Sequence, residues 1–266
     1  VHPIERLRYV ARASGAGHDV LVRETASALA TFIDDPAGMV TACRRVVARQ
    51  PTSGPIWWLT SRVLTAPDPM REAWDAVEEF ENDTTVRELA HAIEPDLTVT
   101  VLGWPELVAS ALVRRGDLAA LVVDVLGEGS GLVRRLTFAD DDAEAVDVPV
   151  AGLGAAVAES DLVLLEASAI GPEAFLSIAG SRAAAATARS CGVPVWLVGG
   201  AGRLMPARVW EGLVARLDVD EPWDADDEVV PLDLVDRIVG AHGPEPVADA
   251  LRRTDCPVAP ELFKEL

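Results

Sequence analysis

The residues in this chain whose types and spacing could do chemistry are better suited to holding an anion than to moving a proton. Gly199-Gly-Ala-Gly-Arg203 follows a run of apolar residues. Glycines there let the backbone approach an anion, and Arg203 adds a positive charge. The pattern is not GxGxxG, and a tight surface turn is the alternative. Gly180-Ser181 opens an alanine-rich stretch; its first N–H groups could meet an anion, or Ser181 could simply be the N-cap. Ser14-Gly-Ala-Gly17 precedes another helical pattern and offers the same possibility. Metal chemistry is not expected. Cys43, Cys191 and Cys256 are odd in number and far apart, and His2, His18, His91 and His242 form no ligand pair. Cys43 and Cys191 read as buried small hydrophobes. Asp140-Asp-Asp142 and the acidic run 224–228 lack EF-hand spacing and read as solvated loops.

The elements that must position these residues come in two kinds. In residues 19–33, Val22, Ala26, Leu29 and Ile33 recur at helical steps. Asp35-Pro36 reads as an N-cap and first turn leading through Met39, Cys43, Val46 and Val47. Residues 56–65 and starts at Pro69 and Asp83 bring the total to about five helices before Ile93. From Pro95 the character changes. Apolar runs at 97–102, 118–125, 161–165 and 194–198 read as buried strands, separated by helical patterns at 105–115, 130–136 and 181–190. Short connections between alternating strands and helices predict a parallel sheet covered on both faces. Ligands of such sheets sit beyond the strands' C-terminal ends, so functional residues are expected after Leu102, Val125, Leu165 and Val198. The expected organisation is an N-terminal helical domain over 1–95 and a Rossmann-like α/β domain over 96–266.

Composition narrows the partners. A formal net charge of −20 repels phosphate backbones and disfavours sequence-independent nucleic-acid binding. Lys264 is the only lysine. Abundant acid with almost no lysine fits an intracellular protein of a salt-loving, GC-rich organism, or ordinary acidic solubility. No apolar run approaches the roughly 18 residues needed to cross a bilayer, and the first ten residues lack a signal-peptide core. A cytoplasmic protein without membrane contact is expected.

The stretch Ser160-Asp-Leu-Val-Leu-Leu-Glu-Ala-Ser-Ala-Ile-Gly-Pro172, then Gly180-Ser181, then Gly192-Val-Pro-Val-Trp-Leu-Val198, resembles the initiation factor 2B alpha/beta/delta-type family, which includes ribose-1,5-bisphosphate and methylthioribose-1-phosphate isomerases. Val230-Pro-Leu-Asp-Leu-Val-Asp-Arg-Ile-Val239 is similar to its C-terminal signature. Ser14-Gly-Ala16 and Gln50-Pro-Thr-Ser-Gly-Pro-Ile56 resemble elements of its helical domain. The resemblance implies a helical domain on a Rossmann-like domain of the phosphosugar-isomerase type, with dimers formed through the latter. In the isomerases a Cys after the first sheet strand and an Asp in a Gly-Ala-Asp motif move the proton or hydride.

This chain departs from that pattern where the chemistry lies. No thiol stands near Gly103-Trp104-Pro105, and Gly-Ala-Asp reads Glu166-Ala167-Ser168. Serine without a partner is no general base at neutral pH. The family's Asn-Lys reads Ser177-Ile178, and its Glu-Ser-Arg-Pro reads Asp124-Val125-Leu126-Gly127, so two cations are gone. The expectation is a non-catalytic binding or regulatory homodimer without a cofactor. Its degenerate cleft would hold a sugar phosphate, nucleotide or nucleoside among Ser14, Gly15, Ala16, Asp124, Ser168, Gly180, Ser181 and Arg203. The alternative is an aldose-ketose isomerase on a pentose phosphate, using Asp124, Glu166 and Ser168. Exposed apolar residues around Trp57-Trp58 are a possible protein-docking surface, with burial in the core as the other reading.

Overall fold

The computed structural model of the chain describes residues 17–139, 144–217 and 221–264. Its first part is helical: α1 His18–Leu29, α2 Pro36–Arg49, α3 Gly54–Thr65, α4 Pro69–Glu81 and α5 Thr85–Ala92. The starts are set by capping chemistry. Asp35 accepts from Gly38 N at 2.9 Å and Asp68 from Arg71 N at 3.1 Å, each with a proline in the first turn. Helix α1 ends at Leu29 and tightens into a 3₁₀ turn, short of the expected Ile33.

Helix α3 is apolar nearly all round, and Trp57 and Trp58 are fully buried. A helix with that pattern belongs in the centre of a core, not on a surface. The Trp57-Trp58 region is therefore no exposed docking surface. The helices around α3 are completed from the far end of the chain: Val209 and Leu213 of α10 (Ala207–Val214), with Cys256, Ala259 and Leu262, join the same core.

The second part is, among the described residues, a sheet of nine strands: β1 Thr98–Leu102, β2 Ala119–Asp124, β3 Glu144–Pro149, β4 Leu162–Ile170, β5 Ala174–Ile178, β6 Val195–Val198, β7 Asp227–Pro231, β8 Arg237–Gly240 and β9 Gly243–Pro246. The main path runs β3-β2-β1-β4-β6-β8-β9, parallel except for the β8–β9 hairpin. Helices α6 Glu106–Leu112, α7 Gly129–Ala139, α8 Leu153–Ala158, α9 Ser181–Cys191 and α11 Val247–Leu251 connect or follow the strands, and two apolar clusters share the sheet residues between them. Buried on both faces, the central strands read as continuous apolar runs rather than alternating ones.

Strand β4 has two roles. Its first half pairs in parallel with β1 and β6. After Glu166 it turns out of the main sheet and pairs antiparallel with β5, which pairs with β7. The turn is a bulge between Ala167 and Ala169, centred on Ser168. A Cβ at Gly54 would lie 2.5 Å from the carbonyl oxygen of Ser168, so glycine lets the start of α3 seat against this bulge. Cys43 and Cys256 are buried, but Cys191 is exposed. It ends α9, where the chain turns through Gly192 at positive φ, rather than filling the core.

Candidate functional site

The chain leaves β1 toward β2 and β4 toward β6, on opposite sides of the boundary between β1 and β4. Crevices form at such switch points, and here a cleft of about 700 Å³ opens at the strands' C-terminal ends. One wall is Trp104, Pro105 and Glu106, directly after β1. The floor is Leu165 to Ser168, the inner wall Ser181 and Arg203, and the rim His18, Asp226 and Asp227.

Arg203 is 1% exposed. Its Nη1 donates to Glu166 Oε1 at 2.9 Å and to Ala167 O at 2.7 Å, and its Nε has no partner among the described residues. The other oxygen of Glu166 accepts from Leu107 N at 2.8 Å and Val108 N at 3.0 Å in the first turn of α6. Glu166 thus joins β4, α6 and the glycine loop after β6. The cation at the back of the cleft is already neutralised, and the carboxylate is committed to three donors.

The same arrangement recurs around the sheet's C-terminal edge. In the glycine loop, Ala201 N donates to Asp83 Oδ2 at 2.9 Å, while Thr85 N and Thr85 Oγ1 bond Oδ1 of the same aspartate. A Cβ at Gly200 would fall 2.4 Å from Asp83 Oδ2, so glycine permits that approach. At the start of α9, Arg182 N donates to Glu228 Oε1 at 2.8 Å. At α7, Gly129 N donates to Asp124 Oδ1 at 3.0 Å. The glycine loop and the first turns of three helices each hold a carboxylate of this chain. A positive N-terminal dipole and free amides favour an anion; here that anion is intramolecular.

The cleft's remaining charge is mostly negative. Glu106, Glu128, Asp226 and Asp227 line it beside the paired Glu166, against Arg135 and Arg203. His18 Nδ1 lies 3.0 Å from Glu106 Oε2, and its backbone N–H donates to the same oxygen. Burial alone would raise the Glu106 carboxyl. The hydrogen bonds and charge of His18, with a smaller pull from Arg203, outweigh it and hold Glu106 below its ordinary value. Asp227 shows the opposite balance. Burial first and the adjacent Asp226 second push it up to about 6, against a smaller lowering from His18.

Of the residues expected to form the site, Ser168, Ser181, Arg203 and Glu166 line this cleft, whereas Asp124 and Gly180 are not among its lining residues. Asp124 caps α7, and Gly180 is the left-handed residue before α9. Ser14, Gly15 and Ala16 lie outside the described residues, as do Asp140-Asp-Asp142; Gly17 and His18, next in the chain, do reach the cleft. Ser181 Oγ is fully buried, donates to Ile178 O at 2.7 Å and lies 2.9 Å from Ser177 Oγ, so its hydroxyl faces inward. The Gly199–Gly202 turn is no surface turn: three of its four residues are buried. The run 224–228 is not all solvated loop either, because Asp227 and Glu228 begin β7. Sequence reasoning missed Glu106, His18 and Asp227. Glu106 had a signal, since it stands four residues beyond Leu102, where functional residues were expected.

No family model matches the sequence, and no curated protein matches it. Solved structures do match. The chain superposes on a translation initiation factor eIF-2B from Pyrococcus horikoshii OT3 with a TM-score of 0.76 and 15% identity, over 94% of this chain and 98% of that one. For eIF2B beta from Chaetomium thermophilum the TM-score is 0.72 at 18% identity, over 99% and 93%. A chain of the tetrameric eIF2B-beta2-delta2 complex from C. thermophilum gives 0.74 at 18%, over 94% and 91%. At these identities the likeness is one of fold: helices ahead of a mainly parallel central sheet, as in eIF2B subunits.

Proposed function

We propose that this chain is a non-catalytic, eIF2B-like binding or regulatory protein whose cleft takes an uncharged or cationic small ligand instead of a sugar phosphate. One observation carries the reading: the backbone amides that could hold a phosphate at the sheet's C-terminal edge are bonded to Asp83, Asp124, Glu166 and Glu228. A phosphate entering there would have to displace a bonded carboxylate and sit among further acids, where like charges repel. Two sequence features agree with it: no thiol follows β1, and serine stands at the family's aspartate position. In a thermal-shift series with neutral polyols, nucleosides and amines, at least one uncharged or cationic compound raises the melting point. A ligand that binds the native state alone stabilises it by linkage. Displacement of the Leu107, Gly129, Arg182 and Ala201 amide resonances by a pentose phosphate overturns the reading.

The chain is further proposed to self-associate through its sheet-bearing part. Phe138 at the end of α7 is 93% exposed, and Val146 and Val150, on and after the edge strand β3, are more than half exposed. Exposed apolar residues beside an unpaired strand edge favour association. Sedimentation that gives a monomer at all concentrations removes this part.

A second reading has one observation behind it. Asp227, raised to about 6 at the cleft rim, is suited to exchange a proton near neutral pH. It would serve an isomerase better than Glu166, whose oxygens are held by Arg203 and two amides, or Asp124, which caps α7 outside the cleft lining. Turnover of ribose-1,5-bisphosphate that is abolished by Asp227→Asn establishes that reading and removes the non-catalytic one.

A further inference from the structure

On the outside of the helical core, away from the cleft, lies a groove of about 500 Å³ whose charge has the opposite sign. It is walled by Arg44 of α2, Arg208 of α10, Arg216 just beyond α10, and Lys264. The chain's only lysine therefore joins three arginines in a protein of net charge −20. Among the described residues Glu211 is the one acid in the lining, and it lies 3.4 Å from Arg208. Among the described residues, no carboxylate is within salt-bridge distance of Arg44, Arg216 or Lys264. Other part-buried or networked arginines contrast with this: Arg62 holds Glu72 and Glu79, Arg115 holds Asp117, and Arg253 holds Glu245.

The cations are held in place from behind. The Arg208 guanidinium stands 4.7 Å from the Phe263 ring centroid, and that of Arg216 stands 4.7 Å from the Trp57 ring. Arg44 Nε donates to Glu261 O at 2.6 Å, and Arg216 Nη2 to Leu262 O. Arg216 Nη1 is buried with no partner among the described residues. Burial and then the like charge of Arg44 lower the Arg216 pKa. A chain with this much acid had carboxylates to spare for such a cluster. Leaving it open keeps a buried N–H unsatisfied and like charges close together, both unfavourable without an anion.

We propose that this groove is a binding site for a small multivalent oxyanion, phosphate- or carboxylate-bearing, held by Arg44, Arg216 and Lys264. The Arg216 guanidinium, fixed against the Trp57 ring, and that of Arg44, fixed on Glu261 O, suit planar or tetrahedral oxygens, which guanidinium groups grip through paired N–H donors. The groove holds a small molecule, and the acidic surface beyond it repels a nucleic acid.

The test is calorimetric titration of the full chain at low ionic strength with pyrophosphate and, separately, citrate. Saturable one-to-one binding of either probe is expected, weakened roughly tenfold or more by Arg44→Gln or Arg216→Gln. The exposed Lys264→Gln weakens it less and keeps the test open should an arginine variant fail to fold. Arg45→Gln, exposed on the same helix, leaves binding intact. A preference for pyrophosphate assigns the site to phosphates, and one for citrate to polycarboxylates. Absence of saturable binding by both probes, or equal weakening by Arg45→Gln, overturns the proposal.

Discussion

The cleft and the outer groove treat charge in opposite ways. In the cleft, backbone amides and an arginine that could hold a ligand's anion are bonded to the chain's own carboxylates. In the groove, Arg44, Arg216 and Lys264 have no carboxylate within salt-bridge distance among the described residues, although the chain has 43 acidic residues to 23 basic ones. Net charge predicts neither region, because each is set by a few local bonds. The difference shows where an anion is to be sought: Arg203 in the cleft keeps an unpartnered Nε but already holds Glu166, whereas Arg216 in the groove has an unpartnered Nη1 and no carboxylate among the described residues.

Mutations can break this contrast or sharpen it. The largest effect is expected from Glu166→Ala, which strips Arg203 of its buried partner and should destabilise the chain by about 3–5 kcal/mol in denaturant unfolding. Replacing both residues by methionine should recover most of that loss, since the pair's desolvation offsets much of its attraction. Asp83→Ala comes next. It leaves the Ala201 amide without its acceptor, for about 2 kcal/mol, and opens the glycine loop to inorganic phosphate in the same thermal-shift measurement.

Asp227→Asn is smaller, and it depends on pH. Asp227 is raised in the folded state from its ordinary 3.8 to about 6. The protonated form therefore favours folding fully below pH 3.8, and that contribution is lost as pH rises through 6. Asparagine keeps a neutral group there. The variant should match the parent near pH 3.5 and exceed it by about 1–2 kcal/mol at pH 8, solvent at the part-exposed rim reducing the roughly 3 kcal/mol that the full shift would give. Equal stability at both pH values would show that the rim does not perturb this carboxyl. The smallest effect is Arg216→Gln, a slight gain in stability at low salt because the repulsion from Arg44 goes; the gain should fade as salt screens the pair.

The sequence exposed the scaffold better than the site. Helices α2 and α4 were legible because Asp-Pro puts a cap and a first-turn proline in adjacent letters. Strands β1, β2 and β6 were legible because burial on both faces makes them continuous apolar runs, and only the start of β4 shared that signal. Strand β3, an edge strand with exposed Glu144 and Asp147, carries no such run. Strands β5 and β7 pair only with each other and the tail of β4, which no local pattern announces.

At the site, the residue types were visible but their partners were not. Glu166 meets Arg203 37 positions on, and Asp83 meets Ala201 118 positions on. Contacts of that separation depend on the tertiary path alone. The glycines of 199–202 do accommodate an anion, as their type suggested, but it belongs to Asp83.

The most direct test of the central claim is an amide-resonance titration of the chain with ribose-1,5-bisphosphate. The account predicts that the amides of Leu107, Val108, Gly129, Arg182 and Ala201 stay unmoved, any saturable shifts being confined to the groove around Arg44 and Arg216. Joint, saturable displacement of those five amides would mean that the phosphate replaces the internal carboxylates, and would contradict it.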